Sequence, residues 1–132
     1  MKKHFKTRLL RVADLIETVP ISRFDMVLWG LKGTGPECGT VGCAIGWATQ
    51  DPWFQKRGLR SRKTTPSLLP MIYNPKTGRV LTSIDAGFDA VEHFFGLSEE
   101  DARYLFCALQ YEAERPRPKT VSKRIRDFVE AN

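Results

Sequence analysis

The glycine and cysteine crowd between residues 33 and 46 is the part of this sequence where residue types and spacing could do chemistry. Gly33, Gly35, Gly39, Gly42 and Gly46 share it with Cys38 and Cys43, and Cys107 stands far downstream. Thr40 reads as the N-cap of a helix over about Val41 to Thr49. The free amides at such an end attract anions and lower the pKa of a nearby thiol. Gly39, Thr40, Val41 and Gly42 are therefore the candidate anion-binding residues, and Cys38 is the candidate reactive thiol. His93 stands one helical turn after Asp89. A relay can be written with Cys38 as nucleophile, His93 as base and Asp89 behind it, which makes a thiol-dependent enzyme the alternative reading. Nothing in the sequence brings Cys38 near His93, and Asp–His pairs at this spacing are mostly solvated surface pairs. The favoured reading of Gly42 and Gly46 is packing: four apart on one helical face, they let another helix approach closely, with Cys43 as a small hydrophobe beside them.

Several chemistries are excluded by what is missing. A phosphate-binding loop needs Gly-Lys-Ser or Gly-Lys-Thr at the helix start, and neither occurs there. A dinucleotide fingerprint needs a preceding strand, whereas Phe24 to Leu31 reads as helix. A four-ligand zinc site at Cys38 and Cys43 would have to recruit Cys107 or His93 from afar, so no metal and no cofactor is expected.

The charges are blocked rather than mixed. Lys plus Arg is 21 against 15 for Asp plus Glu, a net charge of +6. Lys2, Lys3, Lys6, Arg8 and Arg11 form one basic cluster; Lys56, Arg57, Arg60, Arg62 and Lys63 form a second. Arg115, Arg117, Lys119, Lys123, Arg124 and Arg126 form a third, and Asp85, Asp89, Glu92, Glu99, Glu100 and Asp101 an acidic counter-patch. Basic clusters that converge make a phosphate-binding surface whose affinity falls with salt. Lys119, Lys123 and Arg126 share one helical face, and Arg115 and Arg117 extend it, so these five are the candidate polyanion-binding residues. Trp47, Trp53, Phe54 and Tyr73 are candidate stacking platforms, although aromatics near helix ends are more often core. The two helices around Gly96-Leu97-Ser98 are not a DNA reader, because Glu99, Glu100 and Asp101 would face phosphates.

The elements that must position these residues are mainly helical. Phe5, Leu9, Val12, Ile16 and Val19 mark an amphipathic helix that Pro20 stops. Ser22 caps a second short helix with Phe24, Val27 and Leu28 inward. Asp51-Pro52 starts another, closed by Gly58. Residues 59–83 lose the helical period and form an irregular insert, in which Pro70–Tyr73 and Arg79–Thr82 can pair across Asn74–Gly78. Asp85–Phe95 is helical and stops at Gly96; Ser98 caps the next helix, with Ala102, Leu105, Phe106 and Leu109 inward. Thr120 caps the last, with Val121, Ile125, Phe128 and Val129 inward. The expected fold is a single mainly α domain over 1–132, a compact bundle of five or six helices with at most one small β-hairpin at about 68–83.

At 132 residues with 42% hydrophobic and 27% charged content, the chain is long enough for one buried core and too apolar for a disordered tail. No run approaches the roughly 18 apolar residues of a membrane span. Three cysteines, an odd number, and a start without an apolar leader core make a reducing cytoplasm the expected compartment.

Cys38-Gly39-Thr40-Val41-Gly42-Cys43-Ala44-Ile45-Gly46, the later Phe95-Gly96-Leu97-Ser98 and the basic closing Arg124–Val129 follow in that order. Together they resemble a group of small uncharacterised phage and bacterial proteins, over Phe24 to Val129. The resemblance implies a mobile-element or bacterial origin and a compact helical fold, and transfers no catalytic residue. The leading expectation is a small non-enzymatic accessory protein that binds a host protein, a nucleic acid or another phosphate-bearing ligand through basic patches, away from membranes. Its acidic patch could equally meet a basic protein surface.

Overall fold

Leu9, Val12, Ala13 and Ile16 are fully buried along one side of the first helix, as a 3.6-residue period with charges between requires. The computed structural model describes residues 1–33, 40–62 and 65–132. Its first helix, α1 (Lys3–Glu17), makes its most extensive contact with the last, Pro118–Ala131, whose Val121, Ile125 and Val129 face it from the same core. In chain order the structure continues with β1 (Gly30–Leu31), β2 (Val41–Gly42), α2 (Ala44–Thr49), α3 (Pro52–Gln55), β3 (Leu59–Ser61) and β4 (Pro70–Ile72). It closes with α4 (Phe88–Phe95), α5 (Glu99–Phe106) and α6 (Pro118–Ala131). The fold is thus mainly α, with two small two-stranded antiparallel sheets among the described residues.

Several elements form where the spacing predicts. Gly96 ends α4 at φ +63°, and the Ser98 hydroxyl accepts the Asp101 N–H to cap α5. Asp51 and Pro52 start α3, and Gly58 at φ +99° turns the chain into β3. A side chain is barred at Gly58 twice over, since a Cβ there would meet the Tyr73 carbonyl at 2.3 Å.

Other elements differ from the expectation, and between residues 24 and 42 the reason is that strand pairing outcompetes local helical preference. The second helix shrinks to a 3₁₀ turn at Ile21–Arg23. Beyond it Phe24 runs extended and buries its ring, while Val27 and Leu28 are 70% and 43% exposed. That segment bonds to the next strand: Asp25 N–H donates to Gly42 O and Cys43 N–H to Trp29 O. The third helix begins at Ala44 rather than Val41, because Val41 and Gly42 pair with Leu31 and Gly30. The predicted hairpin forms as a short one: Tyr73 bridges Val80, flanked by Leu81 N–H donating to Ile72 O at 2.9 Å and Asn74 N–H to Arg79 O at 2.8 Å. The main partner of β4 is β3, where Leu59 opposite Ile72 places two buried side chains side by side. Leu109 is not part of an inward stripe, since α5 stops at Phe106 and Leu109 is 91% exposed. Arg117, not Thr120, is the N-cap of α6, where Pro118 suits the first turn.

Candidate anion-binding site

The residues singled out in the glycine segment do not form an anion-binding helix end. Cys38 and Gly39 lie outside the described residues. Thr40 turns its hydroxyl to Gly33 N–H at 3.5 Å, and Val41 and Gly42 are strand. The helix start that follows is already occupied, because the Cys43 sulfur accepts the Gly46 N–H at 3.4 Å. Glycine at 46 serves close packing as predicted, but the neighbour is the Trp29 backbone and not another helix.

Cys43 is buried, and burial pushes its thiol up to about 11. It therefore holds its proton at neutral pH and packs as a small hydrophobe. This has a consequence at high pH. The unfolded chain releases the Cys43 proton near pH 9, the folded chain only near 11, so stability is intact below pH 9 and falls as pH rises toward 11. The expected slope from this thiol is about 1.4 kcal/mol per pH unit in that window. Urea unfolding of the native chain and Cys43→Ala at pH 8 and 10.5 checks it: the variant is expected to lose less stability between the two.

His93 and Asp89 both point to solvent on α4, opposite its buried Ala90, Val91, Phe94 and Phe95, and no hydrogen bond joins them among the described residues. That is the solvated pair expected from their spacing, not an assembled base.

The five candidate polyanion residues are largely engaged elsewhere. Arg126 bonds to Asp14 at 2.6 Å and Glu17 at 3.1 Å, and these carboxylates raise its pKa. Lys123 pairs with Asp127 at 2.6 Å, with its pKa raised by that hydrogen bond. Arg115 leans on the Phe24 carbonyl at 3.4 Å. Arg117 and Lys119 are exposed. The helical face is real, but acids from α1 and from α6 itself neutralise its centre.

A group of cations without an acidic partner among the described residues sits toward the start of α1. Lys3, His4, Thr7 and Arg8 from α1 line a cavity of about 480 Å³ with Trp53 and Arg57 from the α3 turn. Spacings of three and four residues place the α1 side chains on adjoining ridges. Fully buried Phe54 anchors the opposite wall, with ring centroids 4.9 Å from Trp53, 6.0 Å from Phe94 and 6.4 Å from Phe95.

Two guanidinium groups there are held in place. Arg8 lies 4.1 Å over the Phe94 ring and donates through Nη1 to the Phe94 carbonyl at 2.7 Å. Arg57 lies 3.6 Å over the Trp53 ring and donates through Nη1 to the Trp53 carbonyl at 2.8 Å. Arg11 approaches the same ring at 5.2 Å. Among the described residues no carboxylate pairs with Lys3, Arg8, Arg11 or Arg57. Partial burial, and then the charge of Arg57, lower the Arg8 pKa from its ordinary value. The site thus concentrates positive charge that the fold itself does not neutralise.

Positive charge continues on the far side of α3. Lys32, Arg60 and Arg62 border a smaller polar cavity of about 210 Å³, whose wall is braced by Gln50 Nε2 on Ser61 Oγ at 3.0 Å. The first two basic clusters of the sequence thus supply this region. Which of the clusters would stay unpaired was not legible, because Asp14 and Glu17 lie more than 100 residues from Arg126. The aromatics are mostly not platforms: Phe54 and Tyr73 are buried, Trp47 Nε1 is bonded to the Arg23 carbonyl, and Trp53 is already covered by Arg57.

Compared with protein-family models, with curated proteins and with solved structures, the chain finds no match in any of the three. Among the described residues no helix is long and apolar enough to cross a membrane, and no group of three His, Cys, Asp or Glu side chains is placed to hold a metal ion.

Proposed function

We propose that the protein is a small non-enzymatic accessory protein, of phage or mobile-element type, that binds nucleic acid through the basic face built by the start of α1 and by α3. One observation carries this reading: Arg8 and Arg57 are each fixed by an aromatic stack and a backbone carbonyl, yet neither has an acidic partner among the described residues. Keeping like charges together costs stability, and a phosphate ligand offsets that cost. The face contributes no assembled nucleophile and base, so binding rather than turnover is the chemistry it supports. Mobile-element type rests on the resemblance of the Cys38–Gly46, Phe95–Ser98 and Arg124–Val129 segments.

The test is binding of mixed-sequence DNA and RNA at two salt concentrations. Changing Lys3 and Arg57 together to Glu should lower the log–log salt slope by about 1.4–1.8, since each lost phosphate contact removes about 0.7–0.9. Changing Lys119, Lys123 and Arg126 to Glu should lower it less, because Asp127, Asp14 and Glu17 already engage two of the three. Absence of binding at low salt, or equal loss from both sets of changes, rules out the α1–α3 face as the site.

A further inference from the structure

We infer that the clamp of Arg8 and Arg57 takes the terminal phosphomonoester at the 5′ end of a nucleic acid strand in preference to an internal phosphodiester. The inference rests on the polyanion-binding reading above and specifies its ligand. In both arginines Nη1 is used on a backbone carbonyl, and Nε and Nη2 make no hydrogen bond to any described residue. Each guanidinium therefore keeps the edge that grips two phosphate oxygens at once. Both arginines line one cavity, with Lys3, His4 and the Thr7 hydroxyl around them. The Arg8 pKa is depressed in part by Arg57, so the two charges act on each other across it.

An internal phosphodiester offers two free oxygens and a single charge, enough for one such edge. A terminal phosphomonoester offers three free oxygens and a charge of roughly −1.5 to −2, which two guanidinium edges and a lysine can share. The stacks on Phe94 and Trp53 and the two carbonyl bonds hold the guanidinium groups in place before the ligand arrives, so little side-chain freedom is lost on binding. A nucleic acid strand is the source favoured over a phosphorylated peptide, because cations continue past the clamp. Lys56 is exposed next to Arg57 on the α3 turn, and Lys32, Arg60 and Arg62 line a second cavity that also takes in Gln55 of α3. These would follow the next backbone phosphates.

The experiment compares one oligonucleotide carrying a 5′-phosphate with the same sequence carrying a 5′-hydroxyl, at one low salt concentration, alongside a phosphoserine peptide of neutral flanks. The 5′-phosphate strand is expected to bind about tenfold tighter than the 5′-hydroxyl strand, and the peptide more weakly than either. Arg57→Lys keeps the charge but removes the fork, so it should abolish the preference for the 5′-phosphate strand. Equal binding of the two strands overturns the terminal-phosphate inference and leaves the general reading standing. Binding of neither strand overturns both. A peptide that binds as tightly as the 5′-phosphate strand overturns nucleic acid as the source. A preference that survives Arg57→Lys overturns the clamp as its cause.

Discussion

Phe54→Ala is expected to be the most damaging single truncation near the binding face, lowering stability by about 3–5 kcal/mol. Phe54 is completely buried and sits where α3 meets α4, against Trp53, Phe94 and Phe95. The helix it anchors is only four residues long, so packing and not helix propensity holds it in place. Loss of the ring leaves a cavity beneath Trp53 and Phe94, the two aromatic surfaces on which Arg57 and Arg8 are stacked. The melting temperature should fall by about 10–20 °C for a chain of this size. Affinity for 5′-phosphorylated strands, measured well below that temperature, should fall with it. Denaturant unfolding with binding titrations of the same preparation checks both. Unchanged stability would mean that α3 is not anchored through Phe54.

Gly46→Ala is expected to cost about 2–3 kcal/mol, a large effect for one added methyl group. A Cβ at this position would lie 1.9 Å from the Trp29 carbonyl oxygen and 3.0 Å from its carbonyl carbon. The obstacle is backbone, which cannot rotate aside as a flexible side chain can. The Trp29 carbonyl also accepts the Cys43 N–H at 3.3 Å, so a shift of either segment disturbs the start of α2. Gly42→Ala should act in the same direction, since its Cβ would meet the same oxygen at 2.6 Å. Gly78→Ala is the useful contrast, with nothing within 4 Å of its Cβ, although its φ of +72° strains any side chain there. A Gly46→Ala chain that melts like the native one would remove the close approach of residue 46 to Trp29.

The amino-acid sequence by itself determined the helices that carry their own instructions. In α1, α4, α5 and α6 the apolar period, the Gly96 stop and the Ser98 cap are local, and a chain with these signals buries Leu9, Val91, Leu105 and Ile125 wherever else it goes. The same locality made Cys43 legible as a small buried residue and His93 with Asp89 as a solvated pair. Tertiary structure decided the rest, because the competing terms are non-local. Residues 24–31 and 41–42 have helical spacing, yet the facing glycines Gly30 and Gly42 let two backbones come close enough to pair, and that pairing displaces the helix. The hairpin between residues 70–73 and 79–82 was legible because it is local, whereas the pairing of Leu59 with Ile72 on the other edge of β4 is not. Charge follows the same logic. Basic clusters can be counted along the chain, but whether each stays free depends on which acids the fold delivers to it. α1 places Asp14 and Glu17 against Arg126 near its end, while Lys3, Arg8 and Arg11 earlier in the helix have no acidic partner among the described residues, so one helix both draws charge from the predicted basic face and builds another.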